Sequence, residues 1–258
     1  MHRLLVDTAS LECDRPELPK AEANHLKVVR PKPGERIELF DGRGRWRVYE
    51  VEGRGGDGRW NVRAAQPLNR STSRLPDLTL FACITKGARW DWTIEKTTEL
   101  GVTRIVPVIS ERTIVRLESG ERESKRERWL RIAEEAARQS DAKFIPEITA
   151  PVDFADSLAL VRETRCFVGA LTDPPPPPLL DAILQPPISH LRPPTSDLRP
   201  PTSFAAFIGP EGDFTPAELA ALLEIAEPVS LGPTILRAET AAIHAVSVLA
   251  AAARRRPA

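Results

Sequence analysis

Two glycine-proline turns near the C-terminus carry the residue types best suited to ligand chemistry. They are Phe207-Ile208-Gly209-Pro210-Glu211-Gly212 and Leu231-Gly232-Pro233-Thr234-Ile235-Leu236-Arg237-Ala238-Glu239-Thr240. Each ends an apolar run and opens onto a helical pattern, so the two loops can converge on one ligand that needs close backbone approach. Gly209 and Gly212 allow backbone angles and distances that a side chain would block, and Pro210 stiffens the segment between them. This is the pattern of a cofactor site, although either turn alone reads equally well as an ordinary strand-to-helix loop.

The elements that must hold these turns are also visible. Thr215, Pro216 and Glu218 stand where an N-cap, an N1 proline and the acid of a capping box would stand, and Phe214 with Leu219 fits a hydrophobic staple. Leu219, Leu222, Leu223 and Ala226 share one face, which predicts a helix over 216–226. From residue 78 onward strands and helices alternate. Strands are predicted at 78–85, 104–109, 166–171, 204–208 and 229–231, with helices near 90–100, 125–140 and 239–253. That rhythm argues for an α/β domain with a largely parallel sheet. The helix near 125–140 carries Trp129, Ile132, Ala133 and Ala136 on one face, and pairs Glu127 with Arg131 and Glu134 with Arg138 at i, i+4 on its solvated side.

The N-terminal part has a different texture. Seven of the 14 glycines fall between Gly34 and Gly58, interleaved with strand-like runs at 36–40, 46–51 and 60–64. This predicts a small antiparallel barrel or sheet, with Trp46 and Trp60 in its core. The polar stretch 69–76 reads as the linker, giving domains at 1–70 and 74–258. Residues 174–201 hold 11 of the 25 prolines, and Leu-Arg-Pro-Pro-Thr-Ser begins at Leu191 and again at Leu198. The tract reads as an extended insertion, with a polyproline ligand for a partner as the alternative and His190 as a solvated loop residue.

Bulk properties narrow the partners. The 258 residues carry 36 Lys plus Arg and 36 Asp plus Glu, so any basic surface for nucleic acid must be a local patch. Cys13, Cys83 and Cys166 are far apart without metal-ligand spacing and read as buried, reduced thiols. No apolar run reaches the ~20 residues that span a bilayer, and no signal peptide is recognisable, so no membrane partner and a cytoplasmic location are expected.

Taken together, the motifs resemble the RsmE family, the 16S ribosomal RNA (uracil-N3)-methyltransferases of the SPOUT class. The N-terminal segments His25-Leu26-Lys27-Val28-Val29-Arg30, Gly34 and Leu39-Phe40-Asp41-Gly42-Arg43-Gly44 are similar to that family's PUA-like RNA-binding barrel. Lys86-Gly87, Ile94-Glu95-Lys96, Glu99-Leu100-Gly101-Val102, Pro107 and Ser110-Glu111-Arg112 resemble its first strand-helix-strand unit, and 134–140 resembles its next helix. The two glycine-proline segments resemble its cofactor loops. The resemblance implies a trefoil-knotted α/β methyltransferase domain behind a small β-barrel, S-adenosylmethionine as cofactor, 16S rRNA or the small ribosomal subunit as partner, and a homodimer. The apolar face of 239–253, with Ile243, Val246 and Leu249, is a candidate for the dimer contact. His244 on that helix reads as a packed histidine.

On this reading Leu171, Gly209, Pro210, Glu211, Gly212, Leu231, Gly232, Leu236, Arg237 and Thr240 bind the cofactor. Loss of the uracil N3 proton places negative charge on the flanking carbonyl oxygens, which a nearby cation stabilises. Arg237 is the candidate cation. Glu239 either accepts the proton or holds the arginine, and Arg237 in a structural ion pair with Glu239 or Glu211 is the competing reading. RNA contacts are expected from Arg3, His25 and Arg30, with Arg43 and Arg45, in the barrel, and from Lys86 and Arg112 in the larger domain. Asp141-Ala142 stands where the family often has Gly-Arg, which removes a cation that Lys143 would replace. Ribose 2′-hydroxyl methylation and a non-catalytic RNA-binding role are the rival functions. The first is disfavoured by the barrel motifs and the second by the intact Gly209, Gly212, Gly232, Arg237 and Glu239.

Overall fold

The computed structural model describes residues 1–71, 77–118, 120–161, 164–186 and 203–254. The chain divides into two compact units, one of Met1–Arg74 with Glu134–Ile145 and one of Leu75–Ala133 with Pro146–Ala258.

In the first unit, β1 (His2–Leu5) pairs in parallel with β2 (Arg36–Phe40), and β2, β3 (Arg45–Arg54) and β4 (Trp60–Ala64) run antiparallel. The three predicted strands thus pair antiparallel as expected, and β1, which was not predicted, adds to them in parallel. The chain between β1 and β2 forms α1 (Thr8–Glu12) and α2 (Lys20–Val29), and a helical crossover returns the second strand in the same direction. A bulge between Val51 and Gly53 bends β3. Leu4, Leu11, Leu26, Ile37, Leu39 and Tyr49 fill the core, where the Tyr49 hydroxyl donates to the Cys13 carbonyl at 2.9 Å. Trp60 packs against this core, whereas Trp46 stays half-buried with Lys143 Nζ 4.8 Å from its ring centroid. The expected linker begins as structure, because β5 (Asn69–Arg70) pairs with β3. Residues 72–76 lie outside the described residues.

The Asp41–Gly44 turn shows why two glycines are needed there. Gly44 N–H donates to Lys143 O and Ile145 N–H to Gly42 O, both at 2.9 Å. A Cβ on Gly44 would lie 2.5 Å from Phe144 Cζ, and one on Gly42 would lie 2.6 Å from Ile145 Cδ1.

The second unit is built on a parallel seven-stranded sheet in the order β12-β10-β11-β6-β7-β8, with β9 also on β7. These strands are β6 (Leu78–Cys83), β7 (Arg104–Ile109), β8 (Glu147–Ile148), β9 (Val152–Asp153), β10 (Arg165–Gly169), β11 (Phe204–Ile208) and β12 (Glu227–Val229). The apolar runs of β6, β7, β10 and β11 are continuous rather than alternating, as burial on both faces demands. Phe81 stacks on Phe207 across the paired β6 and β11, with centroids 4.3 Å apart. The helices are α3 (Ala88–Leu100), α4 (Glu121–Gln139), α5 (Phe154–Leu158), α6 (Leu179–Leu184), α7 (Pro216–Leu223) and α8 (Ala238–Ala253). The last six residues of α4 belong with the first unit.

Several expectations change here. Val246 and Leu249 are fully buried as α8 packs on α3, α6, β6 and β11, so the apolar face assigned to a dimer contact is occupied within the chain. His244 is exposed rather than packed, because it lies on the opposite side of α8. Cys83 and Cys166 are buried in β6 and β10, but Cys13 is exposed just beyond α1. The proline-rich tract is not extended throughout. Leu179–Leu184 forms α6, with Leu179 and Ala182 buried, while residues 187–202, including His190, lie outside the described residues. No helix among the described residues is long and apolar enough to cross a membrane, and none of their His, Cys, Asp and Glu side chains group as a metal site.

Candidate functional site

Neighbouring parallel strands present their C-terminal ends on one edge of the sheet, where ligands of open α/β domains bind. Here β12, β10 and β11 are adjacent, so the segments leaving them meet although they are far apart in sequence. They enclose a pocket of about 310 Å³ lined by Gly169, Ala170, Leu171, Ile208, Gly209, Pro210, Glu211, Asp213, 229–232, 234–238 and Ala241.

Each wall is fixed by local chemistry. In the first turn, Asp213 N–H donates to Pro210 O at 2.9 Å, and Asp213 itself takes a left-handed conformation with φ 59°. Its Oδ1 accepts from Phe214 N–H at 2.7 Å. A Cβ on Gly209 would meet that Oδ1 at 3.1 Å and Phe214 N at 3.3 Å, so a larger residue would crowd the tight turn. Thr215 and Glu218 form the predicted capping box at the start of α7, and Glu218 Oε1 also accepts from Glu111 N–H at 2.9 Å. Phe214 is buried, with Leu219 packed on the same cluster, as the staple requires. In the second turn, Gly232 has φ 141° and its carbonyl accepts from Ser230 Oγ at 3.0 Å. A Cβ on Gly169 would stand 3.0 Å from Leu231 Cδ1, so a side chain at the end of β10 would press on the leucine of the second turn.

Of the residues expected to bind cofactor, Leu171, Gly209, Pro210, Glu211, Leu231, Gly232, Leu236 and Arg237 line this pocket. Gly212 and Thr240 do not. Gly212 faces Arg112, whose Nη1 donates to its carbonyl at 2.9 Å, and Thr240 is exposed on the first turn of α8. Gly169, Ala170, Ile208, Val229 and Ser230 are among the lining residues that were missed. Each lies at or just past a strand end, and that position was their only signal.

Arg237 is the N-cap of α8, exposed, and its guanidinium makes no hydrogen bond or ion pair among the described residues. The competing ion pairs with Glu239 or Glu211 are therefore absent. Arg89 takes both acids instead, with Nη1 3.4 Å from Glu211 Oε1 and Nε 3.9 Å from Glu239 Oε1. Glu239 is buried and is not among the pocket-lining residues.

The residues expected to touch RNA separate into two groups. Arg3 is 8% exposed, and its guanidinium is spent on Glu38 at 2.8 Å and on the carbonyls of Ala137 and Ala142. It is a structural ion pair, so its assignment to RNA is corrected. Lys143 cannot stand in for the missing arginine as a free cation, because Glu38 and Asp141 bind it at 2.8 and 2.9 Å. Arg45 pairs with Glu12 at 3.1 Å. By contrast His25, Arg30, Arg43, Lys86 and Arg112 are exposed, Arg30 in the left-handed conformation that ends α2.

Residues 72–250 match the model of the RNA methyltransferase domain, and residues 18–58 match that of the RNA methyltransferase PUA domain. The ribosomal RNA small subunit methyltransferase E of Aquifex aeolicus is 30% identical over 236 residues, covering 90% of this chain and 92% of that protein. The chain belongs to the ribosomal RNA small subunit methyltransferase E family. The family's Bacillus subtilis member is 33% identical over 166 residues, which span 64% of this chain and 61% of that protein. The Neisseria gonorrhoeae enzyme, solved bound to S-adenosyl methionine, is 29% identical, with TM-score 0.79 over 96% of this chain and 95% of that one.

Proposed function

We propose that this protein uses S-adenosylmethionine to methylate N3 of a uridine in 16S rRNA. The observation that carries the reading is the pocket at the ends of β10, β11 and β12, walled by glycine turns and carrying an arginine that is unpaired among the described residues. Family membership supplies the substrate class, and the cofactor-bound relative supplies the donor. The pocket suits such a donor. Its volume lies in the range of small-ligand sites, and the positions at Gly169 and Gly209 would be crowded by a Cβ.

When bound, the cofactor supplies an electrophilic methyl group on a sulfonium. The chain's part is to position the reactants and to balance charge. Residues 209–210, 230–232 and 234–236 line the pocket and would hold the donor in place for in-line transfer. Arg237, held at the N-cap and with its guanidinium unpaired among the described residues, stabilises the negative charge that develops on uracil oxygens as N3 gives its proton to solvent water. Glu239, buried and outside the pocket, is not placed to accept that proton.

The strand order and the two adjacent loops support the SPOUT-type, trefoil-knotted reading of this domain. We keep the homodimer as part of the proposal, with an interface other than the buried face of α8, and light scattering would test it. A cytoplasmic location follows from a ribosomal RNA substrate. Exposed Arg30, Arg43 and Lys86 are the proposed RNA contacts.

Nucleoside mass spectrometry of 16S rRNA treated with the protein and cofactor should show 3-methyluridine. A 2′-O-methylated nucleoside, or no product, would overturn the assignment. Arg237→Ala should lower kcat by about 10²–10³, the usual cost of losing one donor at a developing anion.

A further inference from the structure

Glu239 has surroundings that the proposed chemistry does not use. Its side chain is 6% exposed, and its Oε2 has no hydrogen-bond partner among the described residues. A buried carboxylate needs a counter-charge, and taking that charge away is costly. Arg237 stands two residues earlier in the chain at the N-cap of α8, yet the cation that Glu239 meets is Arg89, from the first turn of α3. Arg89 is half-exposed and reaches Glu211 of the first cofactor turn with its Nη1. The contact with Glu211 is exposed on the arginine side and contributes little by itself. The contact with Glu239 is the one where burial gives a single charge leverage.

We infer that Arg89 is a positioning residue that neutralises Glu239 and thereby leaves Arg237 unpaired at the pocket. The inference rests on the reading of Arg237 as the cation that meets the uracil. Without Arg89, the charge on Glu239 remains, and Arg237 is the next guanidinium along the same helix terminus. Pairing with Glu239 withdraws it from the pocket. Binding of the donor, which relies on the backbone of the turns, is changed far less than the rate.

The test is a double-mutant cycle in methyl transfer to unmodified 16S rRNA, with calorimetry of S-adenosylmethionine binding to each variant. Arg89→Ala should lower kcat by about tenfold or more, with KM for the cofactor changed less than about threefold. Arg89→Lys should recover most of the loss. In a Glu239→Gln background, Arg89→Ala should have almost no further effect, because no charge remains to compete for Arg237. If Arg89→Ala costs the same factor in both backgrounds, or if Glu239→Gln alone abolishes transfer, the inference fails. Should Arg89→Ala not fold, Arg89→Gln takes its place in both backgrounds, and the same comparison of kcat decides. An inactive wild-type chain would refute the proposed function, whereas an active one without coupling would refute only this role of Arg89.

Discussion

Replacing Arg165 by Met is expected to damage the larger unit more than its single position suggests. Arg165 opens β10, is 3% exposed, and meets Glu227 of β12 through two hydrogen bonds of 2.7 and 2.9 Å. Its remaining donors go to the carbonyls of Ala182, Ile183 and Gln185 at the end of α6, at 2.7, 3.1 and 2.8 Å. Methionine fills much of the same volume, so packing is largely retained while Glu227 loses its only ion-pair partner among the described residues. Breaking one side of a buried pair costs about 3–5 kcal/mol. At about 2–4 °C per kcal/mol for a domain of this size, the melting temperature should fall by roughly 6–20 °C. Urea unfolding followed by circular dichroism measures the free energy directly. Because β12 leads into the second pocket turn, calorimetry should also show weaker S-adenosylmethionine binding. Arg165→Met with Glu227→Met should regain most of the stability, since no buried charge is then left alone. A loss below about 1 kcal/mol, or a double variant no better than the single one, would refute the reasoning.

Other outcomes follow from the same geometry. Glu218→Ala removes the acceptor for the N–H groups of Thr215 and Glu111, and should cost about 2–3 kcal/mol in urea unfolding. Arg43→Ala should reduce the slope of log K against log salt for RNA binding by about 1, whereas Arg3→Ala should lower stability and leave that slope unchanged. Ellman's reagent at pH 8 should modify Cys13 alone in the native protein, because burial pushes the Cys83 thiol up to about 12 and raises that of Cys166 as well. Both buried thiols therefore stay protonated and enclosed, and raising the pH to 9 should release neither. Unfolding in guanidinium should expose both.

Local signals made much of the catalytic unit legible in the sequence. The capping box at Thr215 and Glu218 set the start of α7 because both halves of that interaction lie within four residues. The strands 104–109 and 204–208 were visible as apolar runs between turn residues. What was hidden depended on partners distant in the chain. Arg3 has the character of a phosphate contact, and only its meeting with Glu38 and with carbonyls in and just after the last turn of α4 makes it structural. The sequence set Arg237 beside Glu239, but α3 brings Arg89 to that acid instead. The apolar face of α8 had two possible uses, and periodicity does not say whether the covering surface comes from the same chain. The parallel pairing of β1 was missed for a related reason. Register along a strand is a local property, whereas direction depends on the crossover that precedes the next strand.

The pairing of β10 with β11 has a consequence for the proline-rich tract that separates them in sequence. Register there is set strand to strand, from Arg165 against Phe204 to Val168 against Phe207, and the carbonyls closing α6 are pinned by Arg165. The chain between α6 and β11 therefore only has to return. Each doubling of such a connection costs about 0.6 kcal/mol in closure entropy. Repetition of Leu-Arg-Pro-Pro-Thr-Ser in that stretch is thus a change the sheet can absorb, and the pocket beside Gly169 inherits its shape from strands whose spacing is indifferent to loop length.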